Sequence, residues 1–197
     1  MSDKYGTGHD KQYCYPNSDV LINKLGLMDG DSLEAAEIEH TQACIEQFLP
    51  DFDDISLSAL RAIHFHIFQD IYDWAGELRT VDISKGSTRF ASISRIEPEA
   101  EKLFRLLAQE DYLIDLPRNQ FLTRLAHYYG ELNVIHPFRD GNGRAQRLLF
   151  EVISINAGYA LRWEPIGRAE WVAANIEAYH CRLEPLKALL NRALTRI

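Results

Sequence analysis

Cysteine is scarce. The chain has three, Cys14, Cys44 and Cys181, far apart and with no Cys-x-x-Cys pair, so neither a disulfide framework nor a cysteine zinc site is implied, and reduced thiols in a cytosol-like compartment are expected. Long apolar runs are missing as well. No stretch approaches about 18 apolar residues, and Met1 to Lys11 is polar and charged with no apolar core, so neither a membrane span nor a secretory leader is expected. Positive charge is in short supply: 21 Lys and Arg stand against 29 Asp and Glu, for a formal net charge of −8. Such a surface is unsuited to holding DNA, RNA or acidic lipid directly, because those ligands need a basic field. What remains is an ordinary globular balance, 46% hydrophobic and 25% charged over 197 residues. That is enough for one sizeable core, so a single domain over 1–197 is expected.

Along the chain, residues 1–31 are turn-rich, and Tyr13, Tyr15, Val20, Leu21 and Leu25 read as an arm packed onto the domain. Asp31 or Ser32 can cap a helix running to about Phe48. Ser56 can cap a second, whose stripe of Leu57, Leu60, Ile63, His64, Ile67, Phe68 and Ile71 runs to Trp74, Ala75 and Gly76. His64 and His66 form a His-x-His pair, but on a helix such residues point away from each other, which favours core or surface histidines over metal ligands. The one hairpin signal lies at 79–94, where Val81 and Ile83 alternate with polar residues and Gly86 sits in a Lys85-Gly86-Ser87-Thr88 turn. A lone ribbon is marginal and leaves an edge open to another chain. Pro98 fits the first turn of a helix to about Gln109, and Pro117 opens the next. In that helix Phe121, Leu125, Tyr128, Leu132 and Ile135 repeat at helical spacing, marking it as buried and central; it delivers the chain to His136. Helices over Trp171 to Tyr179 and Leu186 to Leu194 close the sequence. The fold class expected is mainly α.

The densest chemistry is the stretch 136–147, His-Pro-Phe-Arg-Asp-Gly-Asn-Gly-Arg-Ala-Gln-Arg. Pro137 should hold His136 extended and end the preceding helix, placing the ring at a corner where a base can reach a hydroxyl. The Gly141-Asn142-Gly143 turn sits where the next helix begins, so successive N–H groups can curl round an anion at the positive end of that helix. Arg144 and Arg147, three apart in the first turns, meet the wrong end of the helix dipole, which suggests a missing polyanion such as a nucleotide phosphate chain. Asp140 is either a helix N-cap or, beside a phosphate cradle, the one carboxylate that Mg²⁺ needs in addition to phosphate oxygens and water. Phe138 reads as the anchor of the loop.

This string resembles the Fic family motif, His-Pro-Phe-x-Asp/Glu-Gly-Asn-Gly-Arg-x-x-Arg, at every fixed position. The run from Phe68 to Arg79 resembles the Fic region ahead of the flap, and Tyr13-Cys14-Tyr15-Pro16 the entry of its short stand-alone bacterial members, so most of the chain is covered. The resemblance implies a helical core with a β-hairpin flap over the active-site loop, and transfer of AMP from Mg-ATP to a Tyr, Thr or Ser hydroxyl of a target protein. It implies His136 as general base, Asp140 as the Mg²⁺ ligand, Gly141, Asn142 and Gly143 as the anion cradle, and Arg144 and Arg147 on the β- and γ-phosphates. Flap residues Ser84, Lys85, Gly86, Ser87 and Thr88 would dock an extended target segment through main-chain pairing. Short members of the type further imply a cytoplasmic bacterial toxin, with type II DNA topoisomerases as targets.

Rival readings on the same scaffold are phosphoryl, UMP or phosphocholine transfer, or a non-catalytic nucleotide-binding module. The related death-on-curing kinases carry Lys where this chain has Gly143, which favours AMP transfer. Fic proteins are commonly inhibited by a helix bearing Ser/Thr-x-x-x-Glu, whose glutamate meets the motif's final arginine. No glutamate in this sequence has Ser or Thr four residues before it, so a small antitoxin protein supplying that glutamate in trans is expected.

Overall fold

The computed structural model describes residues 10–197. Its elements run α1 (Gly30–Glu46), α2 (Leu57–Phe68), β1 (Ser84–Lys85), β2 (Thr88–Arg89), α3 (Ile93–Gln109), α4 (Arg118–Ile135), α5 (Asn142–Asn156), β3 (Tyr159–Leu161), α6 (Arg168–Tyr179), α7 (Glu184–Ala193) and β4 (Leu194–Arg196). The architecture is mainly helical. α4 is its axis: Phe121, Leu122, Leu125, Ala126, Tyr129 and Leu132 are all buried, and α3, α5, α6 and α7 pack around it.

Local chemistry sets the helix ends. Ser56 Oγ accepts from the Ala59 N–H at 3.1 Å and starts α2, the hydroxyl satisfying a donor that the helix cannot. α1 begins earlier than expected, because Asp29 and not Asp31 or Ser32 is its cap, accepting from Ser32 N–H at 2.8 Å. α2 stops at Phe68 rather than running to Trp74. The N–H groups of Ile71 and Tyr72 both turn back to the Phe68 carbonyl, and Gly76, at φ +77°, lies so close over α2 that a Cβ would meet Phe65 Cβ at 2.9 Å. Ile71, Tyr72 and Ala75 are thus buried by a turn laid across the helix.

α3 starts at Ile93, with Pro98 inside it rather than in its first turn; the Ile93 N–H donates to Asp82 Oδ1 at 2.8 Å, so the hairpin side of the chain caps this helix. At the other end lies a second two-stranded ribbon that the sequence did not signal; it is not a hairpin, because α6 and α7 separate its strands. β3 pairs antiparallel with β4, Leu161 opposite Leu194, and α7 accordingly ends at Ala193. Strands of three residues are too short for alternation to register in sequence.

In the described part of the arm Tyr13, Cys14 and Leu21 are buried, Tyr15 and Val20 are half-buried, and Leu25 is exposed; Lys24 N–H donates to the Ile71 carbonyl at 2.8 Å. Residues 1–9 of that arm lie outside the described residues. Cys44 and Cys181 are free thiols, and among the described residues no helix is long and apolar enough to cross a membrane.

Candidate active site

The site forms where α4 gives way to α5. His136 follows the last residue of α4 and is left-handed, φ 50° and ψ 64°, not extended as Pro137 suggested. Either conformation avoids the right-handed region that a following proline disfavours, and the left-handed one lets the His136 N–H still reach the Leu132 carbonyl at 3.1 Å. A non-glycine residue there is strained by about 1–2 kcal/mol. Arg79 offsets it. Its buried guanidinium, on a side chain 0% exposed, donates to the carbonyl of His136 at 2.9 Å and of Val81 at 2.7 Å, and also to those of Ala91 and Ile135. Its own N–H meets the Pro137 carbonyl at 2.9 Å. One buried cation therefore staples the root of the hairpin to the corner.

The His136 ring stacks on Phe90, centroids 3.8 Å apart. Nδ1 lies 3.1 Å from the Asn133 carbonyl. A carbonyl only accepts, so Nδ1 carries the proton and the lone pair of the neutral ring is on Nε2. Burial drives the imidazole pKa down to about 3, so the ring is neutral at physiological pH.

The following loop is clamped from three sides. Phe138 is fully buried and stacks on His64 at 3.9 Å. His64 Nδ1 accepts from the Gly76 N–H, which leaves Nε2 protonated and donating to the Asp140 carbonyl, both at 2.9 Å. Both ring nitrogens hold backbone, and His66 Nε2 likewise meets the Cys44 carbonyl at 2.9 Å, so the His-x-His pair is architectural. Burial lowers the His64 pKa to about 4. Asn142 closes the loop with its amide, accepting from the Phe138 N–H and donating to the Phe138 carbonyl, each at 2.8 Å. Its side chain is occupied; its main chain is what faces the turn.

That turn is built to a fixed shape. Gly141 has φ +78°, and a Cβ on it would stand 2.2 Å from the Phe68 ring; no other residue fits. The N–H groups of Arg144 and Ala145 return to the Gly141 carbonyl at 3.0 and 3.1 Å, whereas those of Asn142 and Gly143 have no acceptor among the described residues. Gly143 differs from Gly141: a Cβ there would meet nothing nearer than Arg147 Nη1 at 3.8 Å. Asp140 is not the helix cap, which is Gly141. Its Oδ1 accepts from the Gly141 N–H at 2.6 Å, and the carboxylate is close enough to His136 and His64 to be felt electrostatically by both.

The arginines diverge. Arg139, the variable position of the motif, pairs with Asp10 at 2.9 Å, both side chains no more than 3% exposed, tying the arm to the loop. Arg144 pairs with Glu37 of α1 at 2.6 Å. Arg147 is half-buried with no ion pair among the described residues.

The hairpin stands beside this corner. Ser84 faces Arg89 and Lys85 faces Thr88, with Gly86 at φ +58° supplying the turn that a two-residue loop requires. Ala91 N–H donates to the Val134 carbonyl at 3.0 Å, and Phe90 carries the stack on His136. The structure thus gathers His136, Asp140, Gly141, Asn142, Gly143 and Arg147 round one turn with Ser84–Thr88 adjacent, and draws Arg144 aside. Sequence reasoning passed over Arg79 and Glu37. Arg79 had one signal, as the last residue of the run that resembles the Fic region ahead of the flap.

A family model described as the Fic/DOC family matches residues 54–154. The chain is 43% identical over 197 residues to the Probable protein adenylyltransferase Fic of Salmonella typhimurium, covering 99% of this chain and 97% of that protein. It is 38% identical over 192 residues to the Protein adenylyltransferase VbhT of Bartonella schoenbuchensis, covering 95% of this chain and 40% of that one. The crystal structure of BepC from Bartonella tribocorum, with bound AMPPNP, superposes with a TM-score of 0.89 at 25% identity, covering 95% of this chain and 98% of BepC. The chain belongs to the Fic/DOC family.

Proposed function

We propose that this chain is a protein adenylyltransferase that moves AMP from ATP to a Tyr, Thr or Ser hydroxyl of a target protein. The observation that carries the reading is the first turn of α5. Gly143 has ordinary helical backbone and space where its Cβ would stand, next to two main-chain N–H groups that have no acceptor among the described residues. Glycine at such a place sacrifices about 0.5–1 kcal/mol of helix stability relative to alanine, which makes sense where a phosphate fills the space. The relatives named as adenylyltransferases support the same chemistry.

In this reading the polyphosphate lies on the Asn142 and Gly143 amides, and Arg147 meets its terminal end. The target hydroxyl attacks the α-phosphorus, the bond from that phosphorus to the bridging oxygen breaks, and pyrophosphate leaves. His136 Nε2 takes the hydroxyl proton, a contribution typically worth about 10²–10⁴-fold. A base with so low a pKa gains strength once phosphate negative charge lies beside it, because the imidazolium then has a counter-ion. The remaining catalysis is positioning and charge stabilisation. Among the described residues no cluster of three His, Cys, Asp or Glu could hold a metal alone. A single carboxylate, Asp140, beside a phosphate site suits Mg²⁺: Asp140 would hold the ion, which would supply charge stabilisation for the leaving pyrophosphate. Residues Ser84–Thr88 supply the edge on which an extended target segment docks.

We further infer a toxin role in the bacterial cytoplasm, with an antitoxin inserting a glutamate toward Arg147 and type II DNA topoisomerases as candidate targets. Support comes from the missing Ser/Thr-x-x-x-Glu pattern and from Arg147, whose neighbour Glu151 is engaged with Trp163 Nε1. Intact-mass analysis of candidate targets after incubation with ATP tests the activity. Addition of one adenylate per target molecule, lost in Asp140→Ala, is expected; addition of a single phosphoryl group, or no change, contradicts it.

A further inference from the structure

The two motif arginines stand one turn apart, and the bare motif treats them as equivalent. Their surroundings differ. Arg144 Nη2 donates to Glu37 Oε2 at 2.6 Å, Nη1 lies 3.4 Å from Thr41 Oγ1, and the guanidinium covers the Phe68 ring at 4.5 Å. Glu37 is 7% exposed, and its other oxygen accepts from the hydroxyl of Tyr72, which is wholly buried. Thr41 Oγ1 donates to the Glu37 main-chain carbonyl at 2.6 Å. Each group in the cluster is committed. If Arg144 swung out to meet a phosphate, it would leave a buried carboxylate with one hydroxyl and no cation, an arrangement that proteins avoid. Phe68, which Arg144 covers, is also the ring that would collide with any Cβ on Gly141. The Glu37–Arg144 pair therefore presses α1 and α2 against the turn that carries the open amides.

Arg147 points elsewhere. Its charge is felt at Tyr129 and Glu151, whereas that of Arg144 is felt at Tyr72 and His64. Its Nη1 lies 3.8 Å from the place a Gly143 Cβ would take, and it has no ion pair among the described residues. We propose that the motif's arginines divide the work. Arg147 is the side-chain cation for the polyphosphate, and Arg144 is a positioning residue, locked by Glu37, that shapes the cradle without touching nucleotide. This rests on the nucleotide reading above and departs from the family-derived expectation that both arginines hold phosphates.

Titration calorimetry with a non-hydrolysable ATP analogue and with AMP, on the full chain, separates the roles. Arg147→Gln should weaken the analogue by about tenfold or more and AMP by less than about threefold, since only the analogue carries the distal phosphates. Arg144→Gln should lower the melting temperature and weaken both ligands by a similar factor. The paired variant Glu37→Gln/Arg144→Gln removes both charges, keeps an acceptor for Tyr72, and should bring the analogue back to within about threefold of wild type. A paired variant still about tenfold weak for the analogue, with AMP binding intact, overturns the proposal. If Arg144→Gln does not fold, Glu37→Gln decides. An analogue-to-AMP affinity ratio equal to wild type supports the proposal, and a ratio raised by a liberated Arg144 refutes it. Failure of wild type to bind the analogue at all is a different result, which sinks the nucleotide reading and this inference with it.

Discussion

Gly141 and Gly143 are two residues apart in one turn and are glycines for opposite reasons. At Gly141 the protein itself fills the space: the backbone is left-handed and Phe68 occupies the volume of a Cβ. At Gly143 the backbone is ordinary and the volume is open. One glycine is required by the fold and the other by whatever occupies that opening. The same division runs through the motif. Phe138, Arg139, the Asn142 side chain and Arg144 are consumed by internal contacts, while among the described residues the Asn142 and Gly143 amides have no acceptor and Arg147 has no ion pair.

The comparison can be broken at several points. His136→Ala removes the proposed base without touching the cradle, so it should lower kcat by about 10²–10⁴-fold with the melting temperature and the affinity for an ATP analogue kept; single-turnover kinetics beside calorimetry would show whether binding falls instead. Gly141→Ala forces a side chain into the Phe68 ring at positive φ and should cost about 2–4 kcal/mol of stability, read as a shifted denaturation midpoint. Folding stability should also depend on pH through His64. Its pKa is depressed to about 4 from the ordinary 6.5, so the unfolded chain takes the proton first. The stabilisation is complete above pH 6.5 and is lost as pH falls through 4, a change on the order of 3 kcal/mol that denaturation at a series of pH values would reveal. Gly143→Ala is the gentlest change. It should leave stability unchanged or raise it by up to about 1 kcal/mol, while weakening the ATP analogue; a stability loss matching that of Gly141→Ala would erase the distinction between the two glycines.

What could be read from sequence was local. The Ser56 cap, the apolar stripes of α2 and α4, the Gly86 hairpin and the motif itself depend on residues within a few positions of one another. What escaped depended on partners brought together by folding: Arg79 gathering four carbonyls from the hairpin root and the corner, Glu37 reaching Arg144 from α1, Asp10 meeting Arg139, and β4 returning to β3. No spacing rule links such residues. The left-handed His136 escaped for a related reason, since its conformation is held by Arg79 and not by Pro137 alone. The identity of the chemistry was legible because the motif is contiguous; the division of labour between its arginines was not, because Glu37 lies far from them in the chain.

The central claim, that the open first turn of α5 seats ATP for attack at its α-phosphorus, is tested most directly by following radiolabel from ATP into a target protein. Label at the α-phosphate should appear in the target and label at the γ-phosphate should not, with both signals absent in His136→Ala. Transfer of the γ-label, with the α-label left in solution, would contradict the account.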